Sequence, residues 1–306
     1  MKLSRLIPPL AVLAGLAVSL SAQTTVVNDD FTSTEDRQLG ALSSTRANWY
    51  VLSNNTTTQA QTVVTGGSNG TPLSINGSAI AGSSNAYMAK WTPATLGVGD
   101  TLTVSLTFSF QRLPATGGLR FGIFDSTPGG VITSDVASVG QASFTGDTGY
   151  AWTGNSSMNI GTAPSGNVFR IGERTTLTAT NLFSTSGDFT PLQAGNGTNA
   201  AWALNTSYTM EMSFYLAAAD ALHINAVLSG GAFGSGIAAL EAVDSTPTAT
   251  SFDYLLFRSA TGNLWDVTFT ELSVIQTAAI PEPSTYAAIF GIGALGLALW
   301  RRRRAA

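Results

Sequence analysis

The chain has 306 residues, with no cysteine, a single histidine and only 10% charged residues. The missing cysteines exclude disulfide scaffolds, thiolate metal sites and cysteine nucleophiles, and one histidine excludes a multi-histidine metal site. With 44% hydrophobic residues the chain can build a core and is not disordered. Residues 23–279 carry eight cations against 17 carboxylates and therefore a net charge of −9. Because such a body repels phosphate backbones, we expect no nucleic-acid partner.

The N-terminal segment has the three parts of a secretory signal. Lys2 and Arg5 form a positive region, Leu10 to Leu20 form an apolar run, and small residues follow up to Ala22. The apolar run is about half of the ~20 residues that a membrane span requires, which favours a cleaved signal over an uncleaved anchor. The sequence therefore predicts a signal helix over residues 1–22, which a signal peptidase removes near Ala22.

Period-two alternation dominates the chain between its two ends. The clearest stretch runs from Thr101 to Phe110, and Tyr208–Leu216 and Leu222–Leu228 repeat the pattern. Only an extended strand gives such alternation one apolar face. In Trp265–Val274 the apolar side chains change face along the segment, and a bulge near Thr270–Glu271 would restore one buried face.

The connections between these candidate strands are rich in glycine and asparagine, and no βαβ alternation occurs. Many short strands with regular turns predict an all-β fold, an antiparallel β-sandwich of the jelly-roll type. A body of about 255 residues suits one large jelly roll better than two immunoglobulin-sized domains. We therefore expect one domain over residues 23–279. The best short helix candidate within it is Ile237–Ala242, and its pattern is weak.

The layout of the body resembles the concanavalin A-like lectin/glucanase jelly rolls, with another sandwich family as the alternative. The resemblance rests on Asp29-Asp30-Phe31, the strand 101–110, the segment 118–122 (Gly-Leu-Arg-Phe-Gly) and a closing strand after Phe252-Asp253. Glucanases of this family carry Glu-x-Asp-x-x-Glu on one strand, and this triplet is absent. A Gly-x-Ser-x-Gly elbow is absent too, so we expect a body that is not an enzyme.

Two tryptophans are candidates for carbohydrate contact. Trp152 and Trp202 lie in surroundings rich in small and polar residues that suit loops, and an exposed aromatic face stacks on a pyranose ring. The competing interpretation places them in the core, where a tryptophan of a sandwich is more often found.

Three carboxylates are candidates for calcium ligands. Asp29, Asp30 and Asp266 lie near the first and last predicted strands, which are commonly neighbours in jelly rolls, and calcium prefers several oxygen ligands. The favoured alternative is that these acids cap turns, since no EF-hand spacing supports the metal. We therefore expect no cofactor, with calcium as the alternative.

The C-terminus has a second tripartite pattern. An extended proline-containing box comes first, then an uncharged apolar segment that predicts a single transmembrane helix over 285–300. A terminal arginine cluster then favours a cytoplasmic end. The box is Pro281, Glu282, Pro283 and Ser284, and the cluster is Arg301, Arg302, Arg303 and Arg304.

These three parts closely resemble the PEP-CTERM sorting signal of Gram-negative bacteria, over residues 280–304. The resemblance implies recognition and processing by an exosortase in species that make exopolysaccharide or biofilm. The alternative is a simple C-terminal tail anchor. A glycolipid-anchor signal would end in its hydrophobic tail rather than in arginines.

The resulting hypothesis is an exported protein with a membrane-anchored precursor in the inner membrane and a mature form at the cell surface or in the extracellular matrix. Its role is predicted to be structural or exopolysaccharide-associated. The alternatives are a lectin-like carbohydrate-binding module and an unrecognised glycan-active enzyme.

Overall fold

The structure is a computed structural model. It describes residues 22–31, 45–53, 63–65, 73–76, 85–112, 119–126, 144–154, 169–179, 182, 188–195, 202–233, 238–259, 266–279 and 283–305. Residues 1–21 of the predicted signal segment, Trp265, Pro281 and Glu282 lie outside these ranges.

Residues 23–279 form one compact unit, whose described ranges contain β-strands and a 3₁₀ turn at Gly231–Phe233. The strands are β1 (Gln23–Asp29), β2 (Asn48–Ser53), β3 (Val63–Thr65), β4 (Leu73–Asn76), β5 (Asn85–Thr95), β6 (Thr101–Arg112), β7 (Leu119–Asp125), β8 (Thr148–Gly154), β9 (Phe169–Arg174), β10 (Phe189–Gly195), β11 (Ser207–Ala218), β12 (Ala221–Gly230), β13 (Ala238–Asp244), β14 (Ser251–Ser259) and β15 (Asp266–Thr277).

The described strands form two antiparallel sheets. Sheet 1 has the order β13-β12-β11-β6-β15-β4-β3, with β1 also paired to β15. Sheet 2 has the order β10-β9-β8-β7-β14-β5-β2. The predicted all-β antiparallel sandwich is thereby confirmed, and the first and last strands are neighbours.

The alternation read from the sequence decides which side chains enter the core. In β6, Leu102, Val104, Leu106, Phe108 and Phe110 are buried between the sheets, while the residues between them face outward. The strands β11 and β12 follow the same alternation. In β15 the register shifts between Phe269 and Glu271, which confirms the predicted bulge.

One local prediction in the body is wrong. Residues 238–242 of the weak helix candidate belong to strand β13, which pairs with β12. The cause is tertiary. Backbone pairing with β12 and burial of Leu240 in the core outweigh the weak helical preference of this alanine-rich stretch.

Sheet 2 packs against sheet 1 with one face, and part of its other face is covered as well. The face opposite sheet 1 carries a second buried cluster, which includes Met88, Tyr254 and Leu256 from the strands. Phe144 and Leu182, which lie in the connections after β7 and β9, complete it. The part of this face around the second cluster is therefore withdrawn from solvent.

The C-terminal segment forms a helix, α1 (Pro283–Ala305). Proline suits the first turn of a helix because its missing N–H would have no partner there, and arginines in the last turn complement the helix dipole. Among the described residues, no helix meets the length and apolarity that crossing a membrane requires.

Candidate functional site

The outer face of sheet 1 carries a groove of about 480 Å³ over β11, β12 and β13. Its polar and exposed lining residues are Ser213, Tyr215, His223, Asn225, Glu241 and Val243.

The strand register explains why these side chains lie together. Tyr215 pairs with His223, and His223 pairs in turn with Val243 on the next strand. One row away, Asn225 lies between Ser213 and Glu241. Directly paired residues of an antiparallel sheet point to the same side with their Cβ atoms about 5 Å apart. The two rows therefore form a continuous surface.

The groove combines an aromatic face with hydrogen-bonding groups. Tyr215 is 43% exposed, and its ring centroid lies 5.9 Å from that of His223 with the planes tilted by 49°. Asn225 offers both a donor and acceptors, and Glu241 is an exposed acceptor. An aromatic face flanked by such groups is the chemistry that recognises a sugar ring.

The two tryptophans proposed as sugar contacts lie in the core, which corrects that interpretation. The Trp152 ring is fully buried and stacks on Phe169, with centroids 4.9 Å apart. Trp202 is 5% exposed and packs edge-on against Tyr208 at 4.6 Å and near Phe233 at 5.1 Å. Rings enclosed in this way have no free face for a pyranose.

The three carboxylates proposed for calcium do not lie together, because Asp266 is distant from Asp29 and Asp30. Arg46 lies 3.4 Å from a carboxylate oxygen of buried Asp29 and 3.0 Å from one of Asp30. Asp266 instead pairs with Arg112 at 3.0 Å. Since Asp29 is opposite Leu272 on β15, Asp266 lies six residues further along, about 20 Å away. These acids therefore do not form one ligand set, and the described residues contain no other metal-binding group.

A buried polar network lies on the covered face of sheet 2. Lys90 forms an ion pair with Asp253 at 2.9 Å and donates to the hydroxyl of Ser126 at 2.8 Å. The hydroxyl of Tyr254 donates to the carboxylate of Asp147 at 2.5 Å. Burial raises the pKa of Asp147 to about 7, against the lowering effects of Tyr254 and Arg174.

Arg174 ties the connections to this face. Its guanidinium donates to the carbonyl oxygens of Phe144, Asp147 and Ala179 at 2.7–2.8 Å. Because Arg174 donates to three backbone carbonyls, its role is to hold these connections in place rather than to bind a ligand.

A second carboxyl cluster lies where β9 approaches β13. Tyr150 donates to Asp244 at 2.7 Å, and Thr248 donates to Glu173 through both its backbone N–H and its hydroxyl. Burial is the main cause that raises the pKa of Glu173, and nearby Asp244 raises it further. Both acids are at most 6% exposed, so their hydrogen bonds serve the packing of the two sheets.

The groove could not be found from the sequence alone. The alternation predicted for Tyr208–Leu216 and Leu222–Leu228 is consistent with the structure, in which Tyr215 and His223 lie on the outward faces of their strands. It did not show that they are opposite each other, because strand register depends on partners distant in the sequence.

The sorting residues are described in part. Pro283 and Ser284 open α1, and the four arginines are exposed at its end. The guanidinium of Arg304 lies 4.2 Å from the centre of the Trp300 ring.

Residues 279–304 match the family model of the PEP-CTERM protein-sorting motif, which confirms the resemblance seen in the sequence. The motif indicates an exported, exosortase-targeted protein that transits the membrane of a Gram-negative bacterium. No curated protein matches the chain.

Solved structures with a similar arrangement are lectins and carbohydrate-active proteins, among others. Lectin I from Ulex europaeus, solved with the methyl glycoside of α-L-fucose, is 12% identical with a TM-score of 0.46, covering 83% of this chain and 98% of that one. The PL-14 alginate lyase from Aplysia kurodai is 9% identical with a TM-score of 0.46, covering 82% and 98%. The lumenal domain of VIP36 is 10% identical with a TM-score of 0.44, covering 78% and 87%. Likenesses at this level assign no function.

Proposed function

We propose that the mature protein is a non-catalytic, polysaccharide-associated protein of the cell surface or extracellular matrix, and that it contacts saccharide through the groove on sheet 1. The observation that carries the proposal is the exposed ring of Tyr215 beside His223, in one surface with Asn225 and Glu241. The groove is built on paired strands, so its side chains are held at a fixed spacing without any ligand.

The composition of the groove favours binding over catalysis. Glycoside hydrolysis uses two carboxyl groups that flank the scissile bond, and Glu241 is the one carboxylate among the described residues that line this groove. The paired acids Glu173 and Asp244 are buried in the sheet packing and do not line it. A binding role needs no second carboxylate.

The C-terminal segment supports a role in sorting. We propose that 285–300 engages the inner membrane before processing, with Arg301–Arg304 on the cytoplasmic side, and that exosortase cleavage near the Pro281–Ser284 box releases or transfers the body. The family match and the apolar, uncharged sequence ahead of the arginines support this order of events.

The binding proposal is tested with the body 23–279, a compact unit, and extracellular polysaccharide purified from the native host. Affinity electrophoresis should show retarded migration of the wild type, and Tyr215→Ala should weaken binding about tenfold. Leu204→Ala is the matched control, because Leu204 is 47% exposed but lies near the opposite end of β11. It should leave binding unchanged.

Two results would count against the proposal. If Tyr215→Ala and Leu204→Ala bind alike, the groove is not the contact surface. If the purified body releases new reducing ends or unsaturated sugars from the polysaccharide, the protein is a glycan-active enzyme instead.

A further inference from the structure

The outer face of sheet 2 carries a row of arginines. Arg258 on β14 pairs with Arg120 on β7, Arg120 pairs with Thr153 on β8, and Thr153 pairs with Arg170 on β9. Neighbouring strands are about 4.8 Å apart, so the row crosses four strands in about 14 Å. The adjacent residues Phe121 and Phe257 are buried between the sheets, which places the row on the opposite face.

In the part of the chain that the structure describes, the charges of this row are not neutralised by ion pairs. Among the described residues, none of the three arginines lies within ion-pair distance of a carboxylate, although Asp188 attracts Arg120 from further away. Arg258 is 5% exposed, donates one bond to the carbonyl oxygen of Leu182, and leaves its buried Nε without a partner.

Like charges directly opposite each other in a sheet are unfavourable. Burial and the nearby charge of Arg120 lower the pKa of Arg258 to about 10. The row also stands out in the body as a whole, since it holds three of the eight cations in a unit of net charge −9. Three arginines in one row, none in an ion pair with a described carboxylate, are complementary to a polyanion even though other parts of the same face carry Asp147 and Asp253.

We propose that Arg120, Arg170 and Arg258 form a second binding site, which takes the carboxylate groups of an acidic polysaccharide. Arg170 is exposed and Arg120 partly exposed, so these two contact the ligand, while buried Arg258 adds its charge from behind. Guanidinium groups bind carboxylates through paired hydrogen bonds, and successive acidic sugars can occupy successive arginines. This site is independent of the groove on sheet 1.

The test uses polygalacturonate and its fully methyl-esterified form, which has the same sugar backbone without the charge. The body 23–279 should bind polygalacturonate in a salt-dependent manner and the ester at least tenfold more weakly. Arg170→Gln should weaken binding of the polyacid about tenfold, with Arg170→Lys intermediate. Galacturonate monomer at equal carboxylate concentration should bind far more weakly, because only the polymer reaches more than one arginine.

Arg112→Gln is the matched control, because it removes the same charge from a partly exposed position on sheet 1, where Arg112 pairs with Asp266. Thermal unfolding checks that each variant is folded. Equal binding of polyacid and ester, or equal losses for Arg170→Gln and Arg112→Gln, would overturn the proposal. So would loss of polyacid binding in Tyr215→Ala with none in Arg170→Gln, since that places the contact in the groove. Equal affinity for a DNA oligonucleotide would also overturn it, because the row would then be a general polyanion site.

Discussion

The buried carboxyl group of Asp147 gives the body a specific dependence of stability on pH. Its pKa is raised from the ordinary value of 3.8 to about 7, mainly by burial. Asp253 raises it further, whereas the Tyr254 hydroxyl, Arg174 and Lys90 lower it. The folded protein therefore keeps this proton at pH values where the unfolded chain has lost it.

The sign follows from proton linkage. Below about pH 4 the Asp147 carboxyl is protonated in both the folded and the unfolded state, so its ionisation does not reduce the free energy of unfolding. Between about pH 4 and 7 the folded state binds more protons than the unfolded one, so stability falls as pH rises, and it levels off above about 7. A shift of about three pKa units corresponds to about 4 kcal/mol lost across this window.

Asp147→Asn removes the titration while retaining an acceptor for Tyr254. Urea unfolding of the body from pH 4.5 to 8 should show that the difference between variant and wild type grows with pH in favour of the variant. The difference isolates Asp147 from Glu173, whose pKa is raised in the same direction. Asp220→Asn, in the exposed turn between β11 and β12, should keep the wild-type pH dependence. A constant difference between Asp147→Asn and wild type at every pH would refute the reasoning.

Three further outcomes are expected. Phe108→Ala should lower the free energy of unfolding in urea by about 3–5 kcal/mol, because its ring is fully buried. Ser105→Ala, on the outer face of the same strand, should change it by less than about 0.5 kcal/mol. Similar losses in the two variants would contradict the alternation. Asp100→Ala should speed hydrogen exchange at the Ala279 amide, because this amide donates to the Asp100 carboxylate at 2.8 Å. An unchanged exchange rate would show that this hydrogen bond does not hold the C-terminal end of the body in place. Replacing both Pro281 and Pro283 by alanine should leave membrane insertion intact and stop cleavage, which the intact mass of protein from the native host would show. A normally processed C-terminus in this variant would show that the exosortase does not recognise the prolines of the box.

The strands of the body could be predicted because their information is local. Side chains of β6 alternate without interruption, and even the bulge of β15 near Glu271 is visible as a change of face. The sorting motif is equally local, since its box, apolar segment and arginines follow one another in order.

The candidate site could not be predicted because it depends on which strands are neighbours. Trp152 is flanked by small and polar residues in sequence, yet Phe169 covers its ring from another strand. Tyr215, His223 and Glu241 become one surface only through the pairing of β11, β12 and β13. Composition around a residue indicates a loop or a surface, but burial is decided by contacts distant in the chain.

The central claim, saccharide contact in the groove, can be measured directly because the chain contains one histidine. The imidazole C–H resonances of His223 therefore report on the groove without any need for assignment among several rings. Titration of the body 23–279 with oligosaccharides from the native extracellular polysaccharide should shift these resonances saturably, and Tyr215→Ala should weaken the shift at each concentration. Binding seen by other resonances or by calorimetry, with the His223 signals unmoved, would place the saccharide elsewhere and contradict the claim.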